Sequence, residues 1–572
     1  MKKCTLALLF LLAPVLALAG VVSQGSAKAS AERFMNKVAP ARTPHLQLVF
    51  ETPRMTKAVT TDPAYYIFAN DGGGYVIASG DDCVPPILGY STTGSLRAEE
   101  MPDNMKAWLD MWSDIVEGCR ASGAAPWQEP ARTKAGSAKL LETASWGQHS
   151  PFNDKCYVLD GQHALTGCTA TATAILMRYH QWPDKGVGTL PAYTFNRTDG
   201  DEAEYTQEAV PLGHAYDWDN MPLNGMSNWN SAQKDAVATL LRDCAVMLQS
   251  DFGLNSTSAY IGDVPTTLVQ YMKYDASIDI DRLNYYTEPL AWVRRIEDNI
   301  DNNGPVAYAG YTDKSGHAFI VDGYDEQDFL HVNWGWNGTD NGYFAAPDGF
   351  PDYTKDHVAV LGAKKDAGGE STAYIELDNL KSSATSYAPG TTFTVTAMFF
   401  NMGTGYFNGS VAIAKYNRNG EFIEQVSDPL YFTNLKPNYG QRSQPFSCKL
   451  SAQIKAGDYI TLVYRASGDS GWTPARFDHN VTSGRIYVGD SVLLDQNVRL
   501  QYDVNAGQLT VFFDCDCSRE LRTAGGSAVT TGVSNQSSKM IIDASKLKAD
   551  TYILHMQRGE QVKDITLHLG LK

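Results

Sequence analysis

Gly167-Cys168-Thr169-Ala170-Thr171-Ala172-Thr173-Ala174 is the stretch from which the rest of the chain is read. A cysteine follows a glycine and opens a run free of Gly and Pro until Trp182-Pro183. That pattern predicts a helix from Cys168 to His180, stopped where proline cannot continue it. The Ala/Thr face near Cys168 lets another layer approach closely. At a helix N-terminus a thiol meets unpaired backbone N–H groups and the positive end of the dipole, and both favour the thiolate. A buried structural cysteine is the competing reading of this residue alone.

Working outward, Val306 to Gly310, His317 to Gly323, Phe329 to Trp334 and Val358 to Gly362 read as strands of one antiparallel sheet. A second helix is predicted within Asn230 to Leu248. The order is helix first, sheet second. Ser315-Gly316-His317-Ala318-Phe319 puts an imidazole at a strand start, and Asn333-Trp334-Gly335-Trp336 follows. An imidazolium at His317 stabilises the thiolate and later protonates a leaving amine. His331 alternates with Asn333 in one strand and is the rival base. Asn333 is expected to accept a hydrogen bond from the far ring nitrogen of His317, with Trp334 and Trp336 shielding it. Gln148, in Trp146-Gly147-Gln148-His149-Ser150-Pro151, is a candidate side-chain donor to an oxyanion.

The chain has 572 residues, too many for one core, and 43% apolar content suffices for several. The fold class expected is multidomain α+β. Residues 1–19 read as a signal peptide: Lys2 and Lys3, an apolar run from Leu6 to Leu18, and Ala17-Leu18-Ala19 as cleavage site. That run is too short for a comfortable membrane span, no later segment replaces it, and export is implied. Residues 20–138 form an α+β segment with a helix-like start at Ala31 to Val38. A hairpin follows, with strands at Tyr65 to Asn70 and Tyr75 to Ser79 turning at Asp71-Gly72-Gly73-Gly74, and then an amphipathic helix from Asp103 to Cys119. Ala124 to Lys139, with Pro126, Pro130, Arg132 and Lys134, reads as a cleavable linker. Residues 139–364 hold the chemistry. Residues 365–490 show short alternating strands at Tyr374 to Leu377, Thr391 to Phe400, Ser410 to Tyr416, Tyr459 to Arg465 and Arg485 to Val488, the pattern of a β-sandwich. Residues 491–572 repeat the style, with strands at Leu509 to Phe513, Met540 to Asp543, Tyr552 to Gln557 and Ile565 to Leu569.

A net charge of −17 disfavours nucleic acid and anionic membrane as partners. Once Cys4 leaves with the signal, Cys83, Cys119, Cys156, Cys168, Cys244, Cys448, Cys515 and Cys517 are too irregular for a disulfide framework. Cys515-Asp516-Cys517 lacks zinc spacing, no His-Glu-x-x-His occurs, and neither metal nor cofactor is expected.

The segments Trp146-Gly147-Gln148, Gly167-Cys168, Tyr179-His180-Gln181-Trp182-Pro183, Gly316-His317-Ala318-Phe319 and Val332-Asn333-Trp334-Gly335-Trp336-Asn337-Gly338 together resemble the streptopain family of secreted bacterial cysteine peptidases. Upstream, Gly72 to Asp82 and Leu88-Gly89-Tyr90-Ser91 extend the resemblance. It implies a papain-like catalytic domain and an inhibitory propeptide. The site would comprise Cys168, His317, Asn333, Trp334 and the oxyanion donor Gln148, with Ser256, Ser258, Ala259, Gly316 and Trp336 at the substrate. It further implies endopeptidase activity on proteins or peptides, preferring an apolar residue at the second position before the cut. Extra C-terminal β modules are similar to those of Bacteroidales-type relatives, and the last resembles a sorting or attachment module; a spacer or binding sandwich is the alternative. An inactive papain-fold binding protein and a thiol acyltransferase are the competing functions.

Overall fold

The computed structural model describes residues 19–572 except 41–42, 52–61, 95, 97–100, 102, 123–125, 128–137, 201–202, 287–288, 312–315, 346–355, 452–453, 456, 479–481, 489–497, 504–507, 514–516, 524–525, 536–538, 544–545, 549, 559–560 and 570–572. Residues 1–18 of the expected signal peptide, most of the expected linker and Cys515 therefore lie outside the described residues.

The first segment supplies helix α1 (Gln24–Val38), strands β1 (Leu46–Glu51), β2 (Tyr65–Asn70), β3 (Tyr75–Ser79) and β4 (Ile87–Ser91), and helix α2 (Asp103–Ser122). α1 begins earlier than its apolar pattern suggests, because Ser23 caps it by accepting the Ser26 N–H. The β2–β3 hairpin turns at Asp71 to Gly74, where Gly73 and Gly74 take φ of 92° and 96°. α2 buries Met105, Trp108, Leu109, Trp112 and Val116, spaced as one helical face.

The next unit opens with the short strand β5 (Lys139–Leu140) and helix α3 (Cys168–His180), followed by α4 (Ser231–Met247) and α5 (Val264–Met272). Then come strand β6 (Asp279–Arg282), helix α6 (Pro289–Asn302), and strands β7 (Val306–Tyr311), β8 (Gly316–Tyr324), β9 (Leu330–Asn333), β10 (Gly342–Phe344) and β11 (Asp356–Leu361). A capping box between Asn230 and Gln233 fixes the start of α4. α5, α6, β1, β4, β5, β6 and β10 add to the elements read from sequence. α6 carries its helical period in the stripe Trp292, Val293, Ile296 and Ile300, whereas α5 is a nine-residue helix whose N-cap Asp263 makes no side-chain capping bond.

These strands form one sheet in the order β1-β2-β3-β4-β10-β9-β8-β7-β11-β6, with β5 pairing β8. The two segments thus share a sheet, joined where Tyr343 pairs with Tyr90 and Phe344 with Gly89. Gly89 fits this seam closely: a Cβ there would lie 3.0 Å from the Phe344 ring and 3.2 Å from that of Trp108, so those rings would have to shift. Tyr90 stacks on Tyr343 at 5.0 Å and donates to Asp325 at 2.9 Å. One core runs through both segments, from Phe68 and Trp108 to Trp292, Phe319 and Trp334. A second core lies on the other face, where α3 and α4 pack against Ala307, Ala309, Ala318 and Ile320. The three alanines at those strand positions let α3 lie close to the sheet.

Beyond, a four-stranded and a six-stranded sheet pack face to face over Ile375, Val395, Phe399, Ile413 and Leu462, a β-sandwich. The last unit has a four-stranded and a three-stranded sheet, and its core continues onto Tyr416, Tyr459 and Val463 of the sandwich. None of the described cysteines forms a disulfide. Among the described residues no helix is long and apolar enough to cross a membrane, and no three His, Cys, Asp or Glu side chains group as metal ligands.

Candidate active site

α3 begins abruptly. Gly167 has φ of 86°, and a Cβ on it would fall 2.8 Å from the Thr257 carbonyl oxygen, so both backbone and space require glycine. Gly167 offers no side-chain cap, which leaves the first-turn N–H groups, that of Cys168 included, without an intrahelical partner. Thr171 and Thr173 turn their hydroxyls back to the carbonyls of Gly167 and Thr169, at 2.9 and 2.8 Å. The threonines therefore satisfy themselves within the helix and remain buried without cost to the sheet contact.

Cys168 is half-buried at this terminus, and its thiol hydrogen-bonds with the imidazole of His317. Burial pushes the thiol pKa up. The hydrogen bond and charge of His317, the Ala318 backbone N–H and the Thr169 hydroxyl outweigh it and hold the thiol below its ordinary range. His317 stands at the start of β8, paired with Gly310, and the neighbouring pair is Gly316 with Tyr311. The Tyr311 ring covers Gly316 so closely that a Cβ there would meet it at 2.5 Å.

Gln148 is buried beside the same terminus, its carbonyl accepting the Thr166 N–H at 3.3 Å. Its loop is pinned by Trp146, which donates to Pro222 at 2.9 Å and accepts from the Asn337 N–H at 3.0 Å. None of the described hydrogen bonds occupies the Gln148 side-chain amide. Trp336 borders this loop, with its ring 6.4 Å from that of His149.

Asn333 is fixed by the segment and turn around it. Its amide nitrogen donates to Thr143 at 3.0 Å and to the Ala144 carbonyl at 2.9 Å, and its oxygen accepts the Gly335 N–H at 3.2 Å. These bonds tie it to the Thr143–Ala144 segment and to its own turn. Thr143 continues the network to Asp322, whose other oxygen takes Nδ1 of His331 at 2.5 Å. These side chains line a cavity of about 310 Å³. His331, the rival base, is committed to this carboxylate. Trp334 is buried between Phe319 and Phe344, each ring 5.1 Å away, and donates to the Asp340 carbonyl.

On the opposite wall the Ala259 carbonyl accepts from Thr169 Oγ1 at 3.0 Å, drawing its loop to the residue after Cys168. Ser258 is exposed and exchanges backbone bonds with Asp251, while Ser256 donates to Thr198 at 3.0 Å, further out. Cys168, His317, Gln148, Gly316 and Ala259 are therefore gathered at one helix end, with Ser256 and Trp336 at its margins. Thr143, Asp322 and Tyr311 have no local sequence signal; long-range packing alone brings them here.

A helix-borne thiolate facing an imidazole from an antiparallel sheet defines a papain-like thiol peptidase. Residues 146–344 match the Peptidase C10 family and residues 19–116 the Spi protease inhibitor. The chain is 31% identical over 300 residues to streptopain of Streptococcus pyogenes, covering 49% of this chain and 73% of that protein. It is 30% identical over 514 residues to the thiol protease/hemagglutinin PrtT of Porphyromonas gingivalis, 82% of this chain but only 56% of that longer protein. A solved fragment of prointerpain A from Prevotella intermedia shares 27% identity over 56% of this chain and 99% of its own, with a TM-score of 0.47. The chain belongs to the peptidase C10, or streptopain, family of cysteine peptidases.

Proposed function

We propose that this chain is a secreted cysteine endopeptidase made as a zymogen, in which Cys168 is the nucleophile and His317 the acid–base. The observation that carries the reading is the Cys168–His317 hydrogen bond at the bare N-terminus of α3, with the thiol held low against burial. The thiolate attacks the scissile carbonyl, and negative charge develops on its oxygen. The Cys168 backbone N–H and the Gln148 amide receive that oxyanion. His317 gives its proton to the leaving amine, then takes one from the water that hydrolyses the thioester. Asn333 and Trp334 hold the turn beneath. The Ser256 to Ala259 loop and Gly316 flank the substrate, in keeping with an apolar preference at the second position before the cut. The intact Cys, His and Gln set disfavours an inert binding protein.

The inhibitor segment, residues 20–138, is tethered by the linker and docked through the β4–β10 seam, and cutting the linker leaves the seam alone to hold it. A cut before Lys139 leaves β5 in place, because Lys139 Nζ is held by the Ile300 carbonyl at 2.9 Å. The basic, apolar start of the chain supports export.

The test is a mass measurement on the signal-less chain, incubated under mild reduction with a protein substrate and an irreversible thiol-directed epoxide. Loss of an N-terminal fragment, with the epoxide on Cys168 and cleavage stopped, is the expected result. A chain still inert after trimming at the linker would sink the reading. Gln148→Ala is expected to lower kcat about 10²–10³-fold with KM little changed, the usual cost of one oxyanion donor; steady-state kinetics on a peptide substrate checks it.

A further inference from the structure

Arg282, at the end of β6, is a buried cation, 7% exposed. A charge so placed needs a counter-charge to be tolerated. The carboxylate set against it is Glu376 of the first C-terminal module, whose Oε2 lies 3.8 Å from Arg282 Nε. The same Glu376 oxygen accepts from the Tyr285 hydroxyl. Arg476, also from the module, stacks on Tyr374 at 4.1 Å and on Tyr285 at 5.6 Å. Thr404 and Tyr374 donate to the carbonyls of Ile278 and Ile280 at 3.3 and 3.4 Å. The module therefore grips the β6 end through charge, rings and backbone rather than hanging from a tether.

Arg282 does not end there. Its Nη2 donates to the Tyr260 hydroxyl at 2.8 Å. Tyr260 is 40% exposed and directly follows Ala259, whose carbonyl is bonded to Thr169 beside the nucleophile. The next residue, Ile261, gives its backbone N–H to the Tyr311 hydroxyl, and the Tyr311 ring covers Gly316 next to His317. The exposed Tyr260 ring thus stands at the rim of the cleft, steered by a guanidinium whose partner belongs to another module.

We propose that the first C-terminal module is a positioning element of the peptidase: Glu376, acting through Arg282, sets Tyr260 and with it the substrate-binding wall beside Cys168. This rests on the peptidase reading above. Glu376 and Arg282 are positioning residues, and their effect falls on substrate binding more than on the chemical step. Removing the charge of Glu376 weakens the neutralisation of Arg282 and its hold on Tyr260.

The experiment uses the full signal-less chain after activation, with peptides that differ only in the apolar residue two positions before the cut. Glu376→Gln keeps shape and removes charge, and Tyr260→Phe keeps the ring and removes the hydroxyl. Each is expected to raise KM about 3–10-fold, the worth of one ordinary hydrogen bond or a modest ion pair, and to change the ranking of the peptides, with kcat within about twofold. The double variant should be no worse than the worse single one, because both act on one path. Asn284→Ala, which removes a 3.1 Å bridge to Asp478 in the same interface but off that path, should leave KM and the ranking unchanged.

An active wild type whose Glu376→Gln and Tyr260→Phe variants match it in KM and ranking overturns the proposal alone. An Asn284→Ala variant that reproduces their shift overturns it as well, since docking in general would then be the cause. A wild type without thiol-dependent cleavage overturns the peptidase reading and this proposal with it.

Discussion

Cys168→Ala should remain full length through purification and incubation, with peptidase activity reduced at least about 10⁵-fold, as for loss of a nucleophile that works as a unit with its base. A methyl group forms no thioester, so neither the substrate reaction nor a self-directed cut in the linker can pass through an acyl-enzyme. Alanine is the best helix former, and the half-buried position loses only one sulfur, so the fold is expected to survive. Unchanged circular dichroism and thermal unfolding check that. A trace of active wild type should still trim the variant within residues 124–139, since that segment is the substrate and is untouched. Mass spectrometry separates the outcomes. A pure Cys168→Ala protein that processes itself at the wild-type rate would remove both the nucleophile assignment and autocatalytic activation.

What the sequence carries, and what it leaves out, divides by range. α3 was legible to the residue because its signals are local: a glycine start, a helix-forming run and a Trp-Pro stop. The β2–β3 hairpin and α2 were legible for the same reason. The seam between β4 and β10 was not, since its pairs join positions about 250 apart and neither strand advertises its partner. The site divides likewise. Cys168 and His317 stood out from their settings, whereas the support of Asn333 comes from Thr143 and Ala144, 190 and 189 positions away. Alternation put His331 and Asn333 on one face, and both do line one cavity. Periodicity gave no means of knowing that Asp322 would claim the His331 ring. The link from Glu376 to Tyr260 crosses two modules and has no sequence signature at all.

His317→Ala is expected to cost nearly as much activity as Cys168→Ala, about 10⁴–10⁶-fold, and the double variant should be no worse than Cys168→Ala alone, because thiolate and imidazolium act together. The two single variants differ in what they leave behind. His317→Ala keeps the thiol but removes the hydrogen bond and charge that hold its pKa down, leaving burial, which raises it, against the Ala318 N–H, the Thr169 hydroxyl and the helix terminus. The sign follows directly. In the wild type, alkylation of Cys168 by iodoacetamide should persist well below the ordinary thiol pKa of about 8.5. In His317→Ala its midpoint should move up toward or past that value. His331→Ala should leave the midpoint in place, since that ring is spent on Asp322. If instead His331→Ala moved the midpoint and His317→Ala did not, the two histidines would exchange roles. The Cys168–His317 bond would then be a contact without consequence for the thiolate. The alkylation profile decides between them without reference to any substrate, so it stands even if the natural target protein is one that no peptide reproduces.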